Sequence, residues 1–379
     1  MHYCRFPLSA LLIGFLLCCL DVSAQEDSIA AAATNPKRKD LFSLGLGLQH
    51  GFIFAHSEEV ENTKGARPTG IEGTISWQRV DSTVWSLCNC YPRRGFVLAY
   101  YDYDNRVLSK SVTVATFLEP TYRISKRTSF SFKGAMGLSY LTNPFDSVNN
   151  PFNRSYSTKI NGYLLVGVGA WVQVGRHWRL NPSVNYQHIS NGGMREPNKG
   201  INWPTAGLAL SYQKTAQPYY NSRRSSVKLW KTQPLRYDIA LFGTARRNVN
   251  ERGRSERMPL LGLGVGVAKQ VGRINMATGG IEVSRDEELR TELQKDSLQG
   301  SAVLVGAVAG HEFLLGKFLF SQQLGVYLFN QTPYYDRLYH RWTFTYKPGQ
   351  RLAVGFSLKA HRHVADYLDL RIRYFLPSK

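Results

Sequence analysis

Trp178-Arg179-Leu180-Asn181-Pro182-Ser183-Val184-Asn185-Tyr186-Gln187-His188-Ile189-Ser190 reads as one strand with two unlike faces. Trp178, Leu180, Val184 and Tyr186 share one side, and Arg179, Asn181, Ser183, Asn185 and Gln187 share the other. A period of two is the pleat of a β-strand. His188 and Ser190 fall in phase with the apolar set. An imidazole and a hydroxyl two residues apart on a greasy face need a chemical reason.

The same alternation recurs along the chain. Phe130, Phe132, Met136, Leu138 and Tyr140 alternate with Ser129, Ser131, Lys133, Ala135 and Ser139. Leu352, Val354, Phe356 and Leu358 alternate with Arg351, Ala353, Gly355, Ser357 and Lys359, and Leu368, Leu370, Ile372 and Tyr374 with Asp369, Arg371 and Arg373. Strands are predicted near 43–55, 69–79, 94–102, 111–123, 128–141, 158–174, 178–190 and 204–213. A second set follows near 236–247, 258–271, 274–285, 300–313, 317–330, 339–347, 351–361 and 367–376. Short links (125–127, 175–177, 272–273, 314–316, 348–350) alternate with long polar ones (143–157, 191–203, 248–257, 286–299, 331–338). Beyond residue 24 no apolar run reaches the ~18 residues of a membrane helix. Yet 43% of the chain is hydrophobic, with 21 Tyr, 19 Phe and 7 Trp. Alternating strands, aromatic residues, short turns and long loops predict an all-β, transmembrane antiparallel β-barrel of about 14–16 strands. The long link 213–235 breaks the turn rhythm, as a periplasmic excursion or as the boundary of a two-part barrel, and a soluble all-β protein shares the alternation.

Residues 1–24 carry Arg5, an apolar stretch over 8–20 and Val22-Ser23-Ala24, the pattern of a signal peptide cleaved near Ala24. Cys4, Cys18 and Cys19 lie within it. The expected organisation is signal peptide 1–24, polar leader 25–40, a barrel region 41–213 that holds the candidate site, and additional strands 214–379. The formal net charge is +20, and removing Arg5 with Asp21 leaves it unchanged. That excess suits anionic lipid phosphates or a solvated set of loops and lumen groups; nucleic acid is not expected as a partner.

Ester cleavage needs a hydroxyl beside a base and a third group that orients the base. Ser190 and His188 supply the first two, and Asn202 is in phase with Ala206, Leu208, Leu210 and Tyr212 on the next strand, where its amide oxygen could accept the imidazole N–H. Asn191 and Asn198, or backbone amides near Gly192 and Gly193, are candidates for holding an oxyanion. Glu119 and Glu196 are alternative acids ranked below Asn202. Taken bare, His-x-Ser is more often a belt histidine and a loop serine. The lipid-facing register favours chemistry, because ionisable groups at membrane depth are costly.

His188-x-Ser190-Asn191-x-Gly193, followed by Pro197-Asn198-x-Gly200, resembles the signature of the outer-membrane lipid A 3-O-deacylase (acyloxyacyl hydrolase) family. The resemblance covers about 41–213, where Phe117-Leu118-Glu119-Pro120-Thr121-Tyr122 also fits longer members. It implies an outer-membrane barrel of a Gram-negative bacterium, with a lipid-facing triad that removes the 3-linked acyl chain of lipid A in lipopolysaccharide. Ser190 would be the nucleophile, His188 the base, and Asn191 and Asn198 the oxyanion groups. The family's founding members have a glutamate where this chain has Asn202, and roughly eight strands where this chain has material for twice that. Outer-membrane phospholipase A, which also carries His-x-Ser-Asn-Gly and pairs its histidine with asparagine, is the rival enzyme reading. A non-catalytic porin-like barrel is the non-enzymatic one. No cofactor is expected, calcium and the oligomeric state being left open.

Other signals read as ordinary structure. His56-Ser57 is expected in a loop. Cys88-Asn89-Cys90 closes a small-ring disulfide or stays as two thiols. Tyr101-Asp102-Tyr103-Asp104-Asn105 is a polar outer loop flanked by girdle tyrosines rather than a calcium site. His361-Arg362-His363 belongs to a turn, and Arg246-Arg247 with 252–257 forms a basic outer loop that meets lipid phosphates or water.

Overall fold

The computed structural model describes residues 40–192, 195–216, 228–249, 255–362 and 364–377. The signal-peptide and leader expectations lie outside them. Among the described residues sixteen strands form: β1 (Asp40–Gly51), β2 (Thr69–Arg79), β3 (Tyr91–Asp102), β4 (Lys110–Arg123), β5 (Thr128–Leu141), β6 (Ile160–Gln173), β7 (Trp178–Ser190) and β8 (Ile201–Gln213) in the first half. The second half holds β9 (Arg236–Val249), β10 (Ser255–Gln270), β11 (Asn275–Asp286), β12 (Val303–Leu315), β13 (Phe318–Phe329), β14 (Leu338–Tyr346), β15 (Leu352–His361) and β16 (Val364–Phe375). They close two separate eight-stranded antiparallel barrels, β1 pairing with β8 and β9 with β16. The alternative of a two-part barrel is therefore the one realised.

Each barrel turns its apolar phase outward. Leu44, Leu46, Leu48, Val184, Leu208 and Leu210 are exposed on the first, and Leu261, Leu263, Val265, Leu368, Leu370 and Ile372 on the second. A continuous apolar band of that extent faces lipid, and closure leaves no strand edge unpaired within it.

Eight strands enclose a bore just wide enough for side chains to fill. In the first barrel Tyr101, Tyr103, Tyr163 and Trp203 form a buried aromatic plug, with Trp203 edge-on to Tyr101 and Tyr103 at 5.6 and 5.4 Å. Tyr101 and Tyr103 thus lie in the lumen and not in an outer girdle: the inward phase of β3 carries Tyr101 and runs on past the strand's end to Tyr103. Beneath them Gln49, Glu72, Asn185, Gln187 and Thr205 share hydrogen bonds, as buried polar groups must. In the second barrel Arg341 bridges Glu282 and Asp369 at 2.7 and 2.6 Å, and Arg373 bridges Glu312 and Asp238 at 2.7 and 2.9 Å. A cavity of about 50 Å³ remains there among Asp238, Glu282, Glu312 and Arg373.

Two short helices occupy what the sequence presents as links. Helix α1 (Ser82–Cys88) is capped by Asp81, whose side chain accepts from Val84 N–H, and Cys88 is disulfide-bonded to Cys90. Helix α2 (Glu287–Lys295) falls inside the expected loop 286–299. Asp286 caps it through the amides of Glu288 and Leu289, and Leu289 and Leu293, four apart, pack on Leu304, Tyr327 and Tyr339. Arg246 is not a solvated loop cation: it pairs with Asp286 and Asp366 and donates to the Tyr335 hydroxyl. Arg247 and Arg257 lie opposite each other on β9 and β10 rather than in a loop, and Arg257 donates to the Ala245 carbonyl at 3.2 Å; residues 250–254, and His363, lie outside the described residues.

Candidate active site

Strands β7 and β8 run antiparallel with His188 directly opposite Asn202 and Ile189 opposite Ile201. Ile189 and Ile201 point inward, fully buried against the aromatic plug. The pleat therefore sends His188, Ser190 and Asn202 to the outer surface of the barrel, half-buried at the end of the apolar band. His188 Nδ1 lies 2.7 Å from Asn202 Oδ1, and His188 Nε2 lies 3.1 Å from Ser190 Oγ. An amide oxygen only accepts, so the hydrogen is on Nδ1. The neutral ring then offers its Nε2 lone pair to the Ser190 hydroxyl. This is the polarity a base needs to take a serine proton.

The loop after β7 closes against this group. Gly200 sits at φ 78°, and a β-carbon there would lie 2.9 Å from His188 Cε1. Only glycine lets the backbone approach so near in that conformation. Lys199 and Gly200 N–H donate to the carbonyls of Arg154 and Ser155 at 3.0 and 2.7 Å, which ties this loop to the one after β5.

The remaining expected residues fall in different places. Asn191 follows Ser190 in the inward phase and is buried; its Nδ2 donates to the Arg195 carbonyl at 2.7 Å, and its N–H donates to Asn198 Oδ1 at 2.9 Å. Both asparagines are thus engaged in framing the loop. Gly192 is exposed at φ 65°, and Gly193 lies outside the described residues. Glu119 is not an acid for His188. It points into the lumen, paired with Arg93 and accepting from Trp171 Nε1 at 2.7 Å, because its phase with Phe117 and Thr121 is the buried one. Glu196 is exposed and accepts from Asn198 N–H at 2.9 Å within its own loop, away from the imidazole.

One residue that the sequence presents as plain loop joins the cluster. Asn202 Nδ2 donates to His56 Nδ1 at 2.9 Å. After β1 the backbone keeps tracking β8: Phe52 N–H donates to the Pro204 carbonyl at 3.3 Å and Phe54 N–H to the Asn202 carbonyl at 2.8 Å. Phe52 and Phe54 are exposed, so the outward phase runs on to His56. That continued alternation was the signal in the sequence.

Two family models match the chain, one on each barrel. Residues 73–213 match lipid A 3-O-deacylase (PagL), and residues 235–378 match the C-terminal domain of acyloxyacyl hydrolase. Among solved structures, the outer membrane enzyme PagL aligns at 14% identity over 44% of this chain and 98% of that one, with a TM-score of 0.31. Neisserial surface protein A aligns at 12% identity over 45% and 96%, with a TM-score of 0.30. The toluene transporter TodX of Pseudomonas putida aligns at 8% identity over 90% and 89%, with a TM-score of 0.19. No curated protein matches. The family matches, each confined to one closed barrel, place this chain in the PagL-type lipid A 3-O-deacylase family.

Proposed function

We propose that the protein is an outer-membrane esterase that removes the ester-linked acyl chain at the 3-position of lipid A, with Ser190 as nucleophile, His188 as base and Asn202 orienting the imidazole. The observation that carries this reading is the continuous hydrogen-bonded run Ser190–His188–Asn202 on the lipid side of a barrel whose bore is filled. Ser190 Oγ attacks the acyl carbonyl while its proton passes to His188 Nε2. The tetrahedral oxyanion collapses, the bond to the sugar oxygen breaks, and His188 returns the proton to that oxygen. Water then attacks the acyl-enzyme, giving up a proton to His188; the second tetrahedral intermediate collapses, the bond to Ser190 Oγ breaks, His188 returns the proton to that oxygen, and the fatty acid leaves. Among the described residues, the Gly192 N–H is an expected oxyanion donor that takes no part in the Asn191–Asn198 pairings.

Asn202 also supports the second enzyme reading, a phospholipase A, since an amide in the third position is that family's choice. The packed lumen of the first barrel argues against a porin. Mass spectrometry of lipid A and of phospholipids after incubation with wild type and with Ser190→Ala separates the three. Loss of one lipid A acyl chain that depends on Ser190 supports the proposal. Serine-dependent lysophospholipid transfers the site to the rival, and no serine-dependent product ends both.

A further inference from the structure

We infer that His56 is a positioning residue: by accepting from Asn202 Nδ2 it fixes which end of that amide faces His188, and so decides whether His188 can act as a base.

A carboxylate presents the same oxygen at either end, but an amide does not. With Oδ1 toward His188, as here, Nδ1 carries the hydrogen and Nε2 is free to accept from Ser190. Turn the amide over and Nδ2 faces His188 Nδ1, which must then be the lone-pair nitrogen. The hydrogen moves to Nε2, and the imidazole donates to Ser190 Oγ instead of drawing a proton from it. The two orientations occupy the same volume, so packing does not choose between them. The choice falls to the group beyond the amide, and that group is His56 Nδ1, 2.9 Å from Asn202 Nδ2. A neutral imidazole accepting there keeps Nδ2 outward and Oδ1 on His188.

The fold holds His56 at this station from both sides. The Phe54–Asn202 backbone bond sets its register on β8. The 3-10 turn Glu58–Thr63 that follows is anchored by buried Val60 and Thr63, and Glu59 pairs with Lys199 at 2.9 Å, one residue before Gly200. The loop carrying His56 and the loop pressing on His188 are therefore fastened together.

The test is a cycle in the full-length protein: His56→Phe and His56→Gln, each in the Asn202 and the Asn202→Asp backgrounds. Deacylation rates are read beside the imidazole ¹⁵N shifts of His188, which report which nitrogen bears the hydrogen. With Asn202 present, His56→Phe should lower kcat about tenfold with KM unmoved, the scale of an amide donor left without its partner. It should also shift His188 toward the Nε2–H form. His56→Gln, which can accept, should restore most of both. With Asp at 202 there is no amide to orient, and His56→Phe should change neither readout by more than about twofold. An equal loss in the two backgrounds would reduce His56 to loop packing and overturn the inference, as would unchanged ¹⁵N shifts in His56→Phe. The rate readout rests on the esterase reading; the ¹⁵N readout needs no substrate. If Ser190→Ala proves fully active, the esterase reading falls while the tautomer test still decides this one.

Discussion

Gly200→Ala is the substitution whose consequence follows most directly from the geometry. Its φ of 78° alone costs a residue with a β-carbon about 1–2 kcal/mol. The added methyl would also stand 2.9 Å from His188 Cε1 and 3.0 Å from the Ile189 carbonyl oxygen, against 3.4 Å for ordinary contact. The backbone oxygen cannot retreat within a strand ladder. The imidazole must therefore move by about half an ångström, and it is held between bonds of 2.7 and 3.1 Å that cannot both follow. Since a misplacement of ~1 Å costs around 100-fold in rate, a loss of about tenfold in kcat is expected. Gly65 supplies the control. It sits at φ 85° in the loop after β1, and a β-carbon there meets nothing within 4 Å. Gly65→Ala should share the backbone penalty and spare the rate. Urea unfolding in lipid vesicles, with deacylation rates per folded molecule, distinguishes the two effects. If both variants unfold earlier by similar amounts and their rates agree within about twofold, contact with His188 does not govern catalysis and the reasoning fails.

Asn202→Ala should cut kcat by roughly 100-fold or more because the imidazole loses its orienting acceptor, whereas Asn202→Glu should retain or raise activity; unchanged rates in Asn202→Ala would place the third group elsewhere. Arg341→Met leaves Glu282 and Asp369 in the second lumen with Arg371 as their shared cation, at 3.7 and 3.3 Å, in place of the closer Arg341, and unfolding should register a loss of about 3 kcal/mol, the low end for a buried pair broken on one side. Val184→Arg places a charge on the outward face of β7, and a cost of about 2–4 kcal/mol in vesicle refolding is expected if that face meets lipid. The Glu59 carboxyl is held down to about 2 by the Lys199 ammonium that donates to it. A folded value below the unfolded one stabilises above the ordinary carboxylate range and is lost as pH falls through about 2. The Glu59–Lys199 tie should accordingly survive at pH 4, and Lys199→Met should move the ¹³C titration of Glu59 upward toward 4.5.

What could be read from the sequence was whatever one strand's pleat dictates. The period of two in 178–190 assigned His188 and Ser190 to the outer face, and the same period on β8 put Asn202 beside them, with no knowledge of the neighbouring strand's register. What escaped were matters settled between segments. Closure of two barrels rather than one depends on whether β8 finds β1 or β9, and local alternation is silent on that. Glu119 was legible as mid-strand, but its alignment with Phe117 and Thr121 had to be recognised as the lumen phase before Arg93 and Trp171 could be named its partners. Asn191 and Asn198 match an oxyanion motif by spacing, yet their side chains settle a contest among loop amides that spacing does not rank. Helix α2 was hidden because nine residues with two apolar positions carry little periodicity, although Asp286 ahead of Glu287 and Glu288 is a capping signal.

The filled bore and the outward site are two parts of one design. The lumen offers no route to the proposed nucleophile Ser190, because Tyr101, Tyr103, Tyr163 and Trp203 occupy it at the level of Ile189 and Ile201. On the proposed reading access is lateral, from the bilayer, and the substrate is an amphiphile whose ester lies where apolar chain meets polar head. The same plug fixes the backbone pair that carries the candidate residues: Ile189 and Ile201 are seated in it, and their neighbours His188 and Asn202 face each other on the opposite side of the wall. A rigid interior is what lets a half-exposed imidazole hold two hydrogen bonds at the edge of a fluid. The immobile core and the proposed site therefore draw on alternate residues of the same two strands.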